Sequence, residues 1–211
     1  MFSVALSLAL AALAPVLPVS SAASGAAIAV CFAPQEDCAV FAARAIENAE
    51  REILVAAYGL TTGSGIVEAL ISAKERGVDV QLIADKTTPC ERPSGIEPLA
   101  AAGVPIWIDD QARIAHPKTM VIDGAVTPTG SMNWTRIAAT NSEDLNLVSS
   151  SAVAAAYAAH WRERLAVSVR FEESRALVPG LVADLAAMAD EARASLLASR
   201  SPATFSPVPR I

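Results

Sequence analysis

His116-Pro117-Lys118, then Asp123, then Gly130-Ser131-Met132-Asn133 and Asn141-Ser142-Glu143, is the stretch on which the reading of this chain turns. An extended backbone sets residues two apart on one face, so the His116 imidazole stands beside the Lys118 ammonium. That pairing suits an anion. Ser131 and Asn133 repeat the spacing and add polar contacts, while Gly130 lets backbone approach a ligand closely. Nothing in the stretch has the spacing of a metal cage, and no cofactor is implied.

The two halves are joined by a predicted hairpin. Thr119 to Ile122 is apolar enough to be buried, Asp123-Gly124 is a strong turn signal, and Ala125 to Thr129 supplies the returning strand. Pro128 removes a ladder donor and is expected at an edge or a bulge. Upstream, Ala26 to Phe32 reads as a strand and Asp37 as the cap of a helix from Cys38 to about Arg51. Ile53 to Tyr58 is the next strand, followed by a helix from Ile66 to Arg76 that Gly77 terminates, and by a strand from Val78 to Ala84. Lys86 to Pro93 reads as a surface loop before a short helix to Ala102 and a strand from Val104 to Ile108. Strand alternating with helix points to an α/β fold with parallel pairing. Downstream, Trp134 to Thr140 is a short helix or turn, Asp144 to Ser149 a strand, and Ala152 to Leu165 a helix.

The pattern H-x-K-x4-D followed by G-S-x-N resembles the signature of the phospholipase D superfamily, in its single-copy, bacterial endonuclease-like branch, over roughly Ala27 to Leu165. The resemblance implies a mixed, largely parallel sheet flanked by helices, with one motif per chain. It also implies phosphodiester chemistry. His116 is then the candidate nucleophile, with Lys118, Ser131 and Asn133 holding the nonbridging phosphate oxygens. Glu143 is expected to accept a hydrogen bond from the far imidazole nitrogen and fix its tautomer. Asp123 and Gly130 are read as structural members of the motif. Trp134 could stack on a base or pack against the motif, and Arg113 and Arg136 are candidate contacts for flanking phosphates. A diester also needs a proton for its leaving alkoxide, and one motif supplies one histidine, so the resemblance implies a homodimer. The other histidine, His160, lies in a helical pattern without a following Gly-Ser-x-Asn and is read as a helix-surface residue.

The chain has 211 residues and a net charge of −6, which argues against a broad electropositive surface and for phosphate affinity concentrated at the motif. The apolar run Val4 to Leu17, ending in small residues near Ala23, is read as a signal peptide over residues 1–23, with an uncleaved anchor as the alternative. Residues 26–170 form the expected catalytic domain, and 171–211 a helix from about Val182 to Ser199 with a Ser/Pro tail. Three cysteines without C-x-x-C spacing fit a periplasmic or secreted protein, with Cys31 and Cys38 the candidate disulfide and three buried thiols the alternative. The leading functional expectation is an exported, metal-independent nuclease acting on DNA, with RNA as a further candidate substrate. A phospholipase D-type lipid hydrolase or transphosphatidylase, acting on membrane lipid, is the second. A catalytically silent nucleic-acid or lipid binder is the third.

Overall fold

The structure, a computed structural model, describes residues 25–172. The expected leader over 1–23 and the expected helix and tail over 182–211 lie outside the described residues. Apolar runs of strand length alternate with amphipathic stretches, and they form β1 (Ala27–Ala33), α1 (Cys38–Glu47), β2 (Glu52–Ala57), α2 (Ile66–Glu75), β3 (Asp79–Asp85), α3 (Ile96–Ala101) and β4 (Ile106–Asp109). Next come β5 (Lys118–Ile122), β6 (Val126–Gly130), β7 (Glu143–Ser149), α4 (Ser151–Leu165) and the two-residue β8 (Val169–Arg170). Side chains start α1 and α4 by accepting from backbone N–H groups that have no intrahelical partner. Asp37 accepts from Val40 at 3.0 Å, and Ser150 from Val153 at 3.4 Å.

The strands make one sheet in the order β1-β7-β6-β5-β2-β3-β4-β8. Helices flank it on both faces. One core lies between the sheet and the side carrying α1, α2 and α3, with Ile46, Ile53, Leu70, Leu82 and Ile106 fully buried. A smaller one lies under α4, where Ala154, Ala158 and Trp161 meet Leu54, Ile83 and Val121. Trp161 also donates from its indole to the Val55 carbonyl at 2.8 Å. Removing that side chain leaves a cavity and an unpaired carbonyl lone pair, a loss of about 3–5 kcal/mol.

The sheet is mixed, as the sequence implies, but the share of parallel pairing is smaller than expected. Only β2 with β3 and β3 with β4 are parallel. The other neighbours are antiparallel, because the motif hairpin inserts β5 beside β2 and carries β6 and β7 outward to β1. Pro128 corrects a second expectation: it sits in an interior strand, between β5 and β7. The ladder to β7 runs through Pro128↔Leu147, whereas the ladder to β5 is registered only at Thr119↔Thr129 and Ile122↔Val126, with Pro128 in the gap. A residue with no N–H is tolerated where that side of the ladder is open.

The first helix also stops at Glu47, before the expected Arg51. The Glu50 and Arg51 amides leave the helical pattern because the Asp123 carboxylate takes them, at 2.9 and 2.8 Å. Cys31 and Cys38 are joined as a disulfide, with Cα atoms 5.6 Å apart, closing the turn between β1 and α1. Cys90 is a free, exposed thiol.

Candidate active site

Topology brings the motif to one end of the sheet. β5 runs antiparallel to β2, so Lys118, its first residue, pairs with Ala57 at the C-terminal end of β2. At that same end β6 finishes at Gly130, and β7 begins at Glu143, paired with Ala33 at the end of β1. The crevice outside the carboxyl ends of parallel strands is where an α/β sheet receives its ligand. His116, Ser131, Asn133 and Glu143 all arrive there on strand ends and the segments that join them.

The Lys118 ammonium lies 2.8 and 3.0 Å from the two His116 ring nitrogens and donates to the His116 carbonyl at 2.9 Å. Which ring nitrogen accepts follows the imidazole tautomer, since a neutral ring has one lone-pair nitrogen and one N–H. Lys118 is 6 % exposed. Burial pushes its pKa below the usual lysine value, and the nearby Glu143 carboxylate opposes that shift. His116 and Ser131 are exposed and Asn133 is half-buried, so the groups that would meet a substrate open to solvent. The buried Asn133 Oδ1 has no hydrogen-bond partner. Among the described residues, no group of three His, Cys, Asp or Glu side chains converges as metal ligands do.

Glu143 differs from expectation. Its Oε2 accepts from the Ser131 hydroxyl at 2.5 Å and its Oε1 from the Asn141 amide at 3.1 Å, while the His116 nitrogens face Lys118. It therefore orients Ser131, whose oxygen also accepts from the Asp144 N–H at 3.0 Å. Gly130 is required for a different reason than ligand approach. A Cβ there would lie 2.2 Å from the Asp144 carbonyl oxygen, so only glycine lets β6 lie this close to β7.

Trp134 is fully buried in the larger core, with its backbone bonded to Gly59 and Thr61. It packs behind the motif and offers no ring face to a base. Arg113 is exposed on the loop before His116. Arg136 lies beyond Asn133, where it lines a cleft of about 290 Å³ with Thr61, Glu91 and Arg92. His160 is exposed on α4, 3.6 Å from the Glu163 carboxylate, consistent with its surface reading.

Asp123 sits at the opposite end of β5. Its carboxylate accepts from the Glu50, Arg51 and Glu52 amides at 2.9, 2.8 and 3.0 Å. Asp123 and Gly124 have φ of 53° and 64°, the left-handed pair that a tight hairpin turn requires.

Sequence reasoning missed Tyr58. Its ring centroid lies 4.4 Å from that of His116, and the Lys118 ammonium sits 4.9 Å from the Tyr58 ring centre. The signal was an aromatic residue at the C-terminal end of a buried strand, followed by a polar turn. It also missed Asp85, at the close of an apolar strand run, and Glu91, since the stretch Lys86 to Pro93 read as a surface loop. That stretch contains a single 3-10 turn over Thr88–Cys90, and Thr88 is fully buried.

A mixed sheet flanked by helices, with His, Lys, Ser and Asn gathered at its strand ends, is an α/β architecture of the phospholipase D type. The chain belongs to the phospholipase D superfamily: residues 43–166 match the family described as cardiolipin synthase, PLD-like domain. It is 34% identical over 140 residues to a phospholipase D of Rickettsia felis, covering 66% of this chain and 70% of that one. A mitochondrial cardiolipin hydrolase of Xenopus tropicalis is 32% identical over 111 residues, 52% of each chain. Among solved structures, the phospholipase D family member Nuc from Salmonella typhimurium superposes with a TM-score of 0.65 at 29% identity, covering 70% of this chain and 99% of that one.

Proposed function

We propose that the chain is an exported, metal-independent phosphodiesterase that cuts nucleic acid without strong sequence preference, at a site shared across a homodimer. The observation that carries this reading is the juxtaposition of His116 and Lys118, with one such motif in the chain. A His116 ring nitrogen attacks phosphorus, forming a P–N bond as the P–O bond to the leaving alkoxide breaks. The alkoxide takes its proton from the second subunit's imidazolium. Water then attacks phosphorus, gives its proton to that same imidazole, and displaces His116. Lys118 and the Asn133 amide hold the nonbridging oxygens as charge builds, and the Ser131 hydroxyl joins them by turning its one proton from Glu143 to the substrate.

The relatives' names favour a second substrate, a phospholipid such as cardiolipin, cleaved by the same bond changes. Among the described residues no helix is long and apolar enough to cross a membrane. The discriminating experiment incubates the purified chain with plasmid DNA, RNA and cardiolipin vesicles, each with excess chelator. Cleavage of nucleic acid under chelation supports the first reading. Lipid cleavage with no nuclease activity replaces it with the second. Sharing of the site is tested by mixing wild-type and His116→Asn subunits one to one. Shared sites leave about a quarter of the activity of undiluted wild type, and independent sites about half.

A further inference from the structure

Both halves of the site rest on one segment, the connection from β3 to α3. Asp85, the last residue of β3, is 1 % exposed. One of its oxygens accepts from the Thr87 amide and hydroxyl, at 2.9 and 2.6 Å, and the other from the Ala115 N–H at 2.7 Å. Ala115 is the residue before His116. The carboxylate therefore fixes the backbone from which the imidazole projects, across 30 residues of sequence. Three residues on, the Thr88 hydroxyl donates to the Tyr58 carbonyl and holds the residue whose ring lies against His116.

The same segment reaches the other half of the motif through Glu91. Its Oε2 accepts from the Leu60 N–H at 2.9 Å. Leu60 lies in the short bridge to Trp134: Gly59 accepts from the Trp134 amide at 3.0 Å, and Thr61 donates to the Trp134 carbonyl at 3.1 Å. Asn133 precedes Trp134, and its Cβ is 3.3 Å from where a Gly59 Cβ would be, as is Glu91 Oε1. Burial pushes the Glu91 carboxyl above the usual glutamate range, reinforced by Asp85 and opposed by the Leu60 N–H.

We propose that Asp85 and Glu91 are positioning residues forming a carboxylate clamp, Asp85 setting His116 through the Ala115 amide and Glu91 setting Asn133 through Leu60 and Trp134. The physical demand is simple. A nucleophile displaced by about 1 Å from its line of attack can lose about 100-fold in rate, and an exposed loop by itself does not hold a side chain to that tolerance. A buried carboxylate accepting three hydrogen bonds does.

The clamp rests on the phosphodiesterase reading, so the test separates the two. Asp85→Asn keeps shape but turns one acceptor into a donor facing an N–H. Its kcat should fall about 100-fold with KM within about threefold of wild type. The His116 ring resonances should shift and broaden in NMR while those of His160 stay in place. Thr87→Val, which removes one bond and keeps the carboxylate, should lose several-fold and carries the test if Asp85→Asn fails to fold. Glu91→Ala should lower kcat, and Glu91→Gln, which still accepts from Leu60, should restore most of it. Asp123→Asn is the control for loss of a half-buried carboxylate that also accepts three backbone amides, at the other end of the sheet. Wild-type kcat in folded Asp85→Asn, or an equal kcat loss in Asp123→Asn, overturns the clamp. Diesterase activity retained by His116→Asn overturns the underlying reading instead, and the NMR comparison stands independently of activity.

Discussion

The two ends of β5 carry polar groups put to opposite uses. At one end Lys118 and His116 contact each other beside exposed Ser131 and half-buried Asn133, with a buried Asn133 oxygen left unpartnered. At the other, about 17 Å away at ~3.4 Å per residue, every oxygen of Asp123 is taken. Its carboxylate holds three consecutive amides, and its carbonyl accepts from the Arg51 guanidinium at 2.7 Å. One end keeps its polar groups available to a ligand, and the other spends them on the fold. The sequence signature joins both into one line of letters, so its spacing is the length of a strand rather than the dimension of a site.

The largest effect that sharpens this contrast is at His116. His116→Asn should reduce turnover by about 10⁴-fold or more, with the thermal midpoint within a few degrees of wild type. Next, Lys118→Met should cost about 10²- to 10³-fold in kcat by removing the charge that stabilises the transition state, while relieving a buried ammonium of its desolvation. Gly130→Ala should damage both properties, since its Cβ would collide with the Asp144 carbonyl oxygen and displace Ser131. Calorimetry should show a loss of about 1–3 kcal/mol, alongside reduced kcat.

Asp123→Asn should do the reverse of His116→Asn. Activity per folded molecule should stay within about twofold, while stability falls by about 1–2 kcal/mol. Asparagine tolerates the left-handed backbone, so the change isolates the carboxylate. Burial pushes the Asp123 carboxyl up, but the Glu50, Glu52 and Arg51 amides and the Arg51 guanidinium outweigh it and hold it below the usual aspartate range. A depressed folded value means the ionised form contributes stability that is complete above about pH 4, the unfolded value, and is lost as pH falls through the folded one. Melting curves of wild type and Asp123→Asn should therefore differ at pH 7 and converge in acid.

Much of this was legible from local signals. Asp123-Gly124 announced its turn because both residues tolerate positive φ, and the strand and helix alternation through Ile108 followed from apolar runs and caps. Lys118 fell at the start of β5, with His116 two residues ahead of the strand, so the i, i+2 spacing placed both at one end. What escaped the sequence depends on sheet order. The neighbours of β6 decide why Pro128 is tolerated and why residue 130 must be glycine, and no periodicity within β6 reveals them. Glu143 was assigned to His116 because a carboxylate partner suits an imidazole, yet Ser131 and Asn141 are nearer once β7 begins at that residue. Asp85 and Tyr58 sit at strand ends, where a sequence reading sees only the close of an apolar run. Their roles arise from β2, β3 and the His116 loop meeting across 30 residues or more.

The central claim, that this end of β5 forms a covalent bond to phosphorus through His116, is tested most directly by trapping the intermediate. Wild-type protein would be mixed with a diester carrying labelled phosphorus, quenched in base, digested with trypsin and analysed by mass spectrometry. An acid-labile phosphoryl group is expected on the peptide Ile114 to Lys118, with none in His116→Asn. Substrate turnover with the label on any other peptide would contradict it.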